Sequence, residues 1–182
     1  SARPLERAAA AEAPAPEVEV SLGRPVQSDV RGNLGPAAVV TRRSPGRDWL
    51  KDRWQAAKDM SGAPLPGEHW LAVDLGRRGA RLTRALLDFE TAHARSYVLE
   101  TAASTQGPWR ELAVVRRGKQ GGVAAVVRSR KQHVEHMLSC PSSAEWAADR
   151  FVRARFTELA SAWGVSVWRF RLFGAPAENN QE

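Results

Sequence analysis

The sequence predicts an all-β protein, an antiparallel sandwich or barrel, and three observations carry that expectation. Apolar residues recur with a period of two along most of the chain, the runs are short, and Gly and Pro stand between them. A length of 182 residues with 43% hydrophobic and 26% charged composition suffices for one domain with a sizeable core and rules out disorder throughout. No self-similarity with a period of about 20 to 50 residues is visible, which argues against a solenoid or propeller.

Taken in chain order, residues 1–17 are mostly Ala, Pro, Glu and Arg, and Pro14 and Pro16 break the one stretch that could coil, so a flexible linker is expected there. The folded unit is expected over residues 18–174. Helical periodicity is confined to residues 49–58 and 144–148, where short helices are expected. Leu71, Val73 and Leu75 alternate with Ala72, Asp74 and Gly76, as in a strand buried on one face. Leu82, Ala85, Leu87 and Phe89 mark a second strand and Tyr97, Leu99 and Thr101 a third; Gln106-Gly107-Pro108 then turns the chain before Trp109. Near alternation is strongest in residues 151–156 and 165–173. The last eight residues, 175–182, are polar with no large apolar side chain, and a flexible tail is expected.

Trp54, Trp70 and Trp168 sit in apolar strand or strand-edge contexts and are expected in the core, each able to bury on the order of 200 Å². Asp74 within an apolar strand needs a partner, and Arg53 or Arg150 could supply a two-pronged hydrogen bond. The single cysteine, Cys140, excludes an intramolecular disulfide and a thiolate-rich metal site. His133 and His136 precede it at a spacing that invites a metal, but on a strand the two point to opposite faces. Glu68 with His69 and Glu90 with His93 make acid–base pairs on paper. No nucleophile elbow, phosphate-cradling loop or second carboxylate at fixed spacing accompanies them, so the expectation is a non-enzyme.

Twenty-seven Lys and Arg against twenty Asp and Glu give a net charge of +7, and only four of the cations are Lys. That skew, beside abundant Ala, fits genomic base composition as well as selection for guanidinium forks. Arg116, Arg117, Lys119, Arg128, Arg130 and Lys131 fall in residues 116–143 with no acid before Glu135. One long hairpin or loop is expected to carry them, either merely solvated or as a patch for sulfated glycan, acidic lipid or an acidic partner protein. The stretch has no aromatic platform for bases, which argues against nucleic acid. No apolar run nears the roughly 18 residues of a membrane span, and a start at Ser1 leads us to expect a longer parent chain.

Five segments, in order, resemble the discoidin domain, the C-type module of coagulation factors V and VIII, whose galactose-binding-like fold also occurs in sugar-binding modules of glycoside hydrolases. Val20-Ser21-Leu22-Gly23-Arg24-Pro25-Val26 resembles its opening strand and turn, and Asp52-Arg53-Trp54 a Thr-Arg-Trp or Ser-Arg-Trp. Trp70-Leu71-Ala72-Val73-Asp74-Leu75-Gly76 resembles its most recognisable strand, and the stretch from Leu87 to Glu100 ending in Gly107-Pro108-Trp109 its central hairpin. Arg150-Phe151-Val152-Arg153 with Trp163-Gly164-Val165-Ser166-Val167-Trp168 resembles the closing pair. The resemblance implies an eight-stranded antiparallel jelly-roll sandwich with ligands held by loops at one end.

It also implies a ligand. Sugar binding needs an aromatic face for a pyranose and a few planar polar groups for its hydroxyls. Trp163 is expected to stack, Glu90, His93 and Arg95 to bond hydroxyls, and Trp49 and Asp59 to assist from the loop before Trp70. The competing arrangement has Glu90 paired with Arg95 across its own turn and Trp163 capping the core. Many sugar-binding relatives hold a calcium through an Asp and a last-strand Glu; here Val39-Val40-Thr41-Arg42 and Arg169 stand there, so no cofactor is expected. A glycan or glycoprotein is the expected partner, and the alternative is a structural module docking on a partner subunit through the basic face. The resemblance leans towards secretion or the cell surface, while the lone Cys140 fits a reducing, intracellular compartment equally well.

Overall fold

The computed structural model describes residues 16–30, 35–44, 46–117, 119–121, 125–130, 132–138 and 149–177. Among them run twelve strands: β1 (Val18–Glu19), β2 (Val26–Ser28), β3 (Trp54–Gln55), β4 (His69–Asp74), β5 (Ala80–Phe89), β6 (Ala94–Ala102), β7 (Arg110–Arg116), β8 (Lys119–Gly121), β9 (Ala125–Arg130), β10 (His133–Leu138), β11 (Phe151–Leu159) and β12 (Ser166–Pro176). Every pairing is antiparallel. One sheet has the order β1-β12-β5-β10-β9, with β3 added to β12; the other has the order β2-β4-β11-β6-β7-β8. Eight strands have six or more residues, and the four short ones, β1, β2, β3 and β8, exceed the eight that the resemblance implied.

The fold is a jelly-roll sandwich because period-two alternation buries one face of each sheet. Leu71 and Val73 of β4, Leu99 of β6 and Ala154 and Phe156 of β11 face Ala85 and Leu87 of β5 and Phe170 and Leu172 of β12, all essentially without exposure. Towards one end an aromatic cluster closes the core: the Phe89 ring lies 5.7 Å from Tyr97 and 5.8 Å from Phe156, and Trp54 lies 6.1 Å from Phe156. Of the three tryptophans expected in the core, only Trp54 is fully buried. Trp70 and Trp168 are half-buried: alternation in β4 turns Leu71 and Val73 inward and Trp70 outward, and Trp168 sits at a register shift between Val167 and Arg169. A second shift opposite Phe173 and Gly174 inserts Thr83 into β5, which is why Leu82 and Ala85, three apart, both face inward.

Residues 49–58 form no helix. Asp48 accepts the Leu50 amide on its side chain and the Asp52 amide on its carbonyl, making a single turn. The chain then straightens so that Trp54 enters the core and pairs with Val167. The helical segment that is present among the described residues is a 3-10 turn, Ala37–Thr41; residues 144–148 and Cys140 lie outside the described residues. Asp74 takes a bidentate bond from Arg150, at 2.7 Å and 2.6 Å, which holds its carboxyl below the usual range; Arg53 goes elsewhere. At the ends, Ala175 and Pro176 pair with Arg81 and Ala80, and the Glu17 carboxylate accepts from Thr83 and Arg84.

The basic segment is not one hairpin. Arg116 ends β7, Arg117 turns the chain, and Lys119 lies on β8 at the edge of one sheet, while Arg128 and Arg130 lie on β9 at the edge of the other. Lys131 falls outside the described residues. His133 and His136 occupy opposite faces of β10: His133 is exposed and bonded to Asp88, and His136 is buried against the Tyr97 hydroxyl at 2.8 Å.

Candidate functional site

Three loops meet at the end of the sandwich where β5, β11 and β3 deliver the chain: residues 46–65, 90–93 and 160–165. Backbone bonds fasten them. Ser166 donates to Ala92, Glu90 to Ser166, Ala160 to His93 and Ala56 to Val165, all between 2.7 and 3.0 Å. Gly164 needs its left-handed backbone, φ +89°, and passes close to Pro64, so this turn packs on the first loop.

Arg53 ties the first loop to β12. Its guanidinium is buried, lies 4.1 Å from the Trp49 ring centroid, and donates to the Trp49 carbonyl at 2.8 Å and to the Ser166 hydroxyl. Its Nη2 is buried with no partner among the described residues. Burial pushes the Arg53 pKa down, and the nearby Glu90 charge opposes that. Burial also acts to raise Glu90, but the amides of Ala92 and Thr91 and the Arg53 charge hold its carboxyl below the ordinary value. Sequence reading assigned Arg53 only to Asp74; its actual partners are an aromatic four residues back and a serine 113 residues on, and no local pattern announces the second.

Trp163 stands 68% exposed and Trp49 57% exposed, with Lys58 Nζ 6.0 Å from the Trp163 ring centroid. Trp163 therefore does not cap the core. Half-exposed His93 has Nδ1 on the Thr91 carbonyl, at 2.9 Å. Glu90 accepts the Ala92 amide at 3.0 Å. The Glu90–Arg95 pairing does not form: Arg95 reaches Glu158 at 2.5 Å, across the sheet. Asp59 closes its own turn, accepting from the Ser61 amide and hydroxyl and from the Ala63 amide, and these bonds, Ser61's first, hold its carboxyl low. The expected residues thus gather as Trp49, Glu90, His93 and Trp163 over the three loops, with Asp59 shaping the first loop and Arg95 turned to one side.

On that side lies a cleft of about 670 Å³ lined by Ser96, Arg116, Arg117, Thr157 and Glu158. Glu158 accepts from Ser96 at 2.8 Å, from Arg95, and from Arg117 at 3.3 Å, and these partners, Ser96 first, pull its carboxyl down to about 2. Among the described residues no three His, Cys, Asp or Glu side chains gather, and no helix is long and apolar enough to cross a membrane.

Solved structures share this fold at low identity. Chitosan-binding module 1 of a chitosanase/glucanase from Paenibacillus sp. IK-5 is 19% identical, with a TM-score of 0.60 over 86% of this chain and 99% of that one. Module 2 of the same enzyme, solved with chitotriose, gives 0.57 at 18% identity over 85% of this chain and 99% of that one. CpGH89CBM32-4 from Clostridium perfringens, in complex with GlcNAc-α-1,4-galactose, gives 0.55 at 11% over 93% and 99%. Allantoicase from Saccharomyces cerevisiae gives 0.58 at 17% over 87% of this chain and 43% of that one, so the same architecture also occurs within an enzyme. No family model and no curated protein matches the chain. These likenesses establish the galactose-binding-like jelly roll.

Proposed function

We propose that the chain is a non-catalytic carbohydrate-binding module, discoidin-like in kind, with its ligand held by the loops of residues 46–65, 90–93 and 160–165. One observation carries the reading. Of the five large apolar side chains exposed among the described residues, four, Trp49, Leu50, Met60 and Trp163, stand on these loops. Burying Trp163 inside would have been favourable by several kcal/mol, so an indole left in water at a loop tip marks a contact surface. In this reading Trp163 stacks on a pyranose face, His93 bonds hydroxyls, Glu90 holds the loop and accepts at its edge, and Trp49 extends the platform over Arg53.

The neighbours that bind chitosan or chitotriose support a saccharide ligand, but Arg53 and Lys58 beside the two indoles repel an ammonium sugar. A saccharide that carries no positive charge suits the loops better. Calcium does not suit the fold's usual cation position: Val39 and Val40 bring no oxygen side chain, Thr41 Oγ1 is committed to the Arg24 carbonyl at 2.8 Å, and Arg169 brings a positive charge. A saccharide ligand fits a secreted or surface-attached protein.

The test is Trp163→Ala on an array of neutral and acidic glycans. Retention of the saccharide class bound by the unaltered chain is expected to disappear, with Tm changed by less than about 4 °C, which corresponds to about 1 kcal/mol in a domain of this size. Unaltered retention, or a larger fall in Tm, overturns the assignment.

A further inference from the structure

The cleft beside the loops differs from the matched ion pairs along the outer faces of the sheets. On the outer faces guanidinium and carboxylate groups are matched: Arg150 with Asp74, Arg171 with Glu19, Arg84 with Glu17 and Glu135, and Arg153 and Arg155 with Glu100 and Glu68. At the cleft, Arg95 and Arg117 share the single carboxylate of Glu158, and Arg116, exposed on the rim, makes no ion pair among the described residues. The local charge is unbalanced in the direction that attracts an anion.

The backbone is built for the same purpose. Arg117 is the one non-glycine described in the left-handed region, with φ +48°, a conformation that costs of order 1–3 kcal/mol for a side chain of this kind. It is held there by its own amide, which donates to Ser96 Oγ at 3.0 Å, while Ser96 Oγ donates to Glu158. A turn needing only to join β7 to β8 would take glycine at this point. The strained residue instead places a second guanidinium next to Arg116 over a space large enough for a sugar substituent.

We propose that this cleft is an anion subsite, and that the saccharide held by the loops is an acidic one whose carboxylate or sulfate is gripped by Arg116 and Arg117. The inference rests on the carbohydrate reading of the loops. Continuity follows from the chain itself: Arg95 is two residues beyond His93, and Glu158 is two residues before Ala160, whose amide bonds His93. A guanidinium fork takes both oxygens of a carboxylate or sulfate, and the shared edge with the loops lets one sugar chain span both. Glu158, ionised throughout the physiological range, keeps Arg95 and Arg117 aligned without neutralising all three guanidinium groups.

The test compares the full chain with Arg116→Ala/Arg117→Gly and with Trp163→Ala. Glycine accepts the left-handed backbone, so the double variant is expected to fold with an unchanged Tm. The probes are heparin for sulfate, polygalacturonate for carboxylate, an N-acetylated chito-oligosaccharide as the neutral reference, and a single-stranded DNA of matched charge. Binding to heparin or polygalacturonate is expected to weaken about tenfold or more in the double variant, with the neutral reference unchanged, since each lost charge-assisted contact is worth roughly that factor. Whichever of the two polyanions binds identifies the acidic group. Equal polyanion affinity before and after the double substitution, absence of polyanion binding at low salt, or equal binding of DNA overturns the subsite. The two readings fail separately. Polyanion binding that survives Trp163→Ala but not the arginine substitutions overturns the loop site alone; neutral binding lost in Trp163→Ala beside polyanion binding indifferent to the arginines overturns the cleft alone.

Discussion

His69 and His136 are both buried, yet their surroundings act on them in opposite directions. His69 Nδ1 bonds Asp29 at 2.7 Å, and that bond, more than the burial opposing it, raises the His69 pKa. Its contribution to stability is complete below about 6.5 and is lost as pH rises through the folded value. Among the described residues His136 has no carboxylate beside it and no partner for its buried Nδ1; its Nε2 meets the Tyr97 hydroxyl, and burial pushes it down to about 4. The sign is reversed. Stability is held above 6.5 and lost as pH falls from 6.5 towards about 4, because the unfolded chain takes up the proton first. Tyr97→Phe alone is expected to cost about 1–2 kcal/mol by stranding the imidazole. Tyr97→Phe/His136→Leu should recover much of that and flatten the acid limb of a denaturation series between pH 6.5 and 4; an unchanged slope would assign the acid loss to another group.

Strands β5 and β12 carry the longest pairing among the described residues and, at Gly174, a close approach of backbone to backbone. A Cβ on Gly174 would lie 2.0 Å from the Arg81 carbonyl oxygen, next to the inserted Thr83. Backbone, unlike a side-chain tip, has little room to yield. Gly174→Ala is therefore expected to destabilise by about 2 kcal/mol or more, read as a lower urea midpoint; an unchanged midpoint would mean that the inserted residue can relax away. This insertion left a trace in the sequence, since Leu82 to Ala85 and Val167 to Phe170 each break strict alternation by one residue. The strands themselves were legible for the same reason: alternation in β4, β6, β11 and β12 is a local record of which face is buried. Residues 49–58 misled because one turn at Asp48 and a run of good helix formers mimic a helix, while the pull of Trp54 into the core is a tertiary effect. The partners in the loops were illegible for a related reason: Arg95 with Glu158 and Arg53 with Ser166 join residues 63 and 113 positions apart.

The whole molecule stands without a disulfide: its one cysteine has no second to pair with, and a continuous core joins the inner faces of both sheets. The proposed loss of a cation at the position of Val39, Val40, Thr41 and Arg169 has a direct test. Chelation by EDTA is expected to leave Tm unchanged, read by scanning calorimetry; a fall in Tm on chelation would reveal a cation that contributes to the fold. The net charge of +7 belongs to this scale too, and it explains less than its size suggests. Most described arginines on the sheets' outer faces are spent on carboxylates, so the net charge overstates what those faces offer an anion.

Strand β1 pairs with the last residues of β12, Val18 opposite Gly174 and Glu19 opposite Phe173, whereas the first residues of β12 lie at the loops. Both ends of the folded unit therefore emerge side by side at the pole opposite the indoles. A tether attached at either end, to a bead, a sensor surface or a neighbouring copy, leaves the loops facing outward and unshadowed. Two copies joined tail to tail would present two sites to one polymer, turning a weak single grip into retention governed by effective concentration rather than by any new contact.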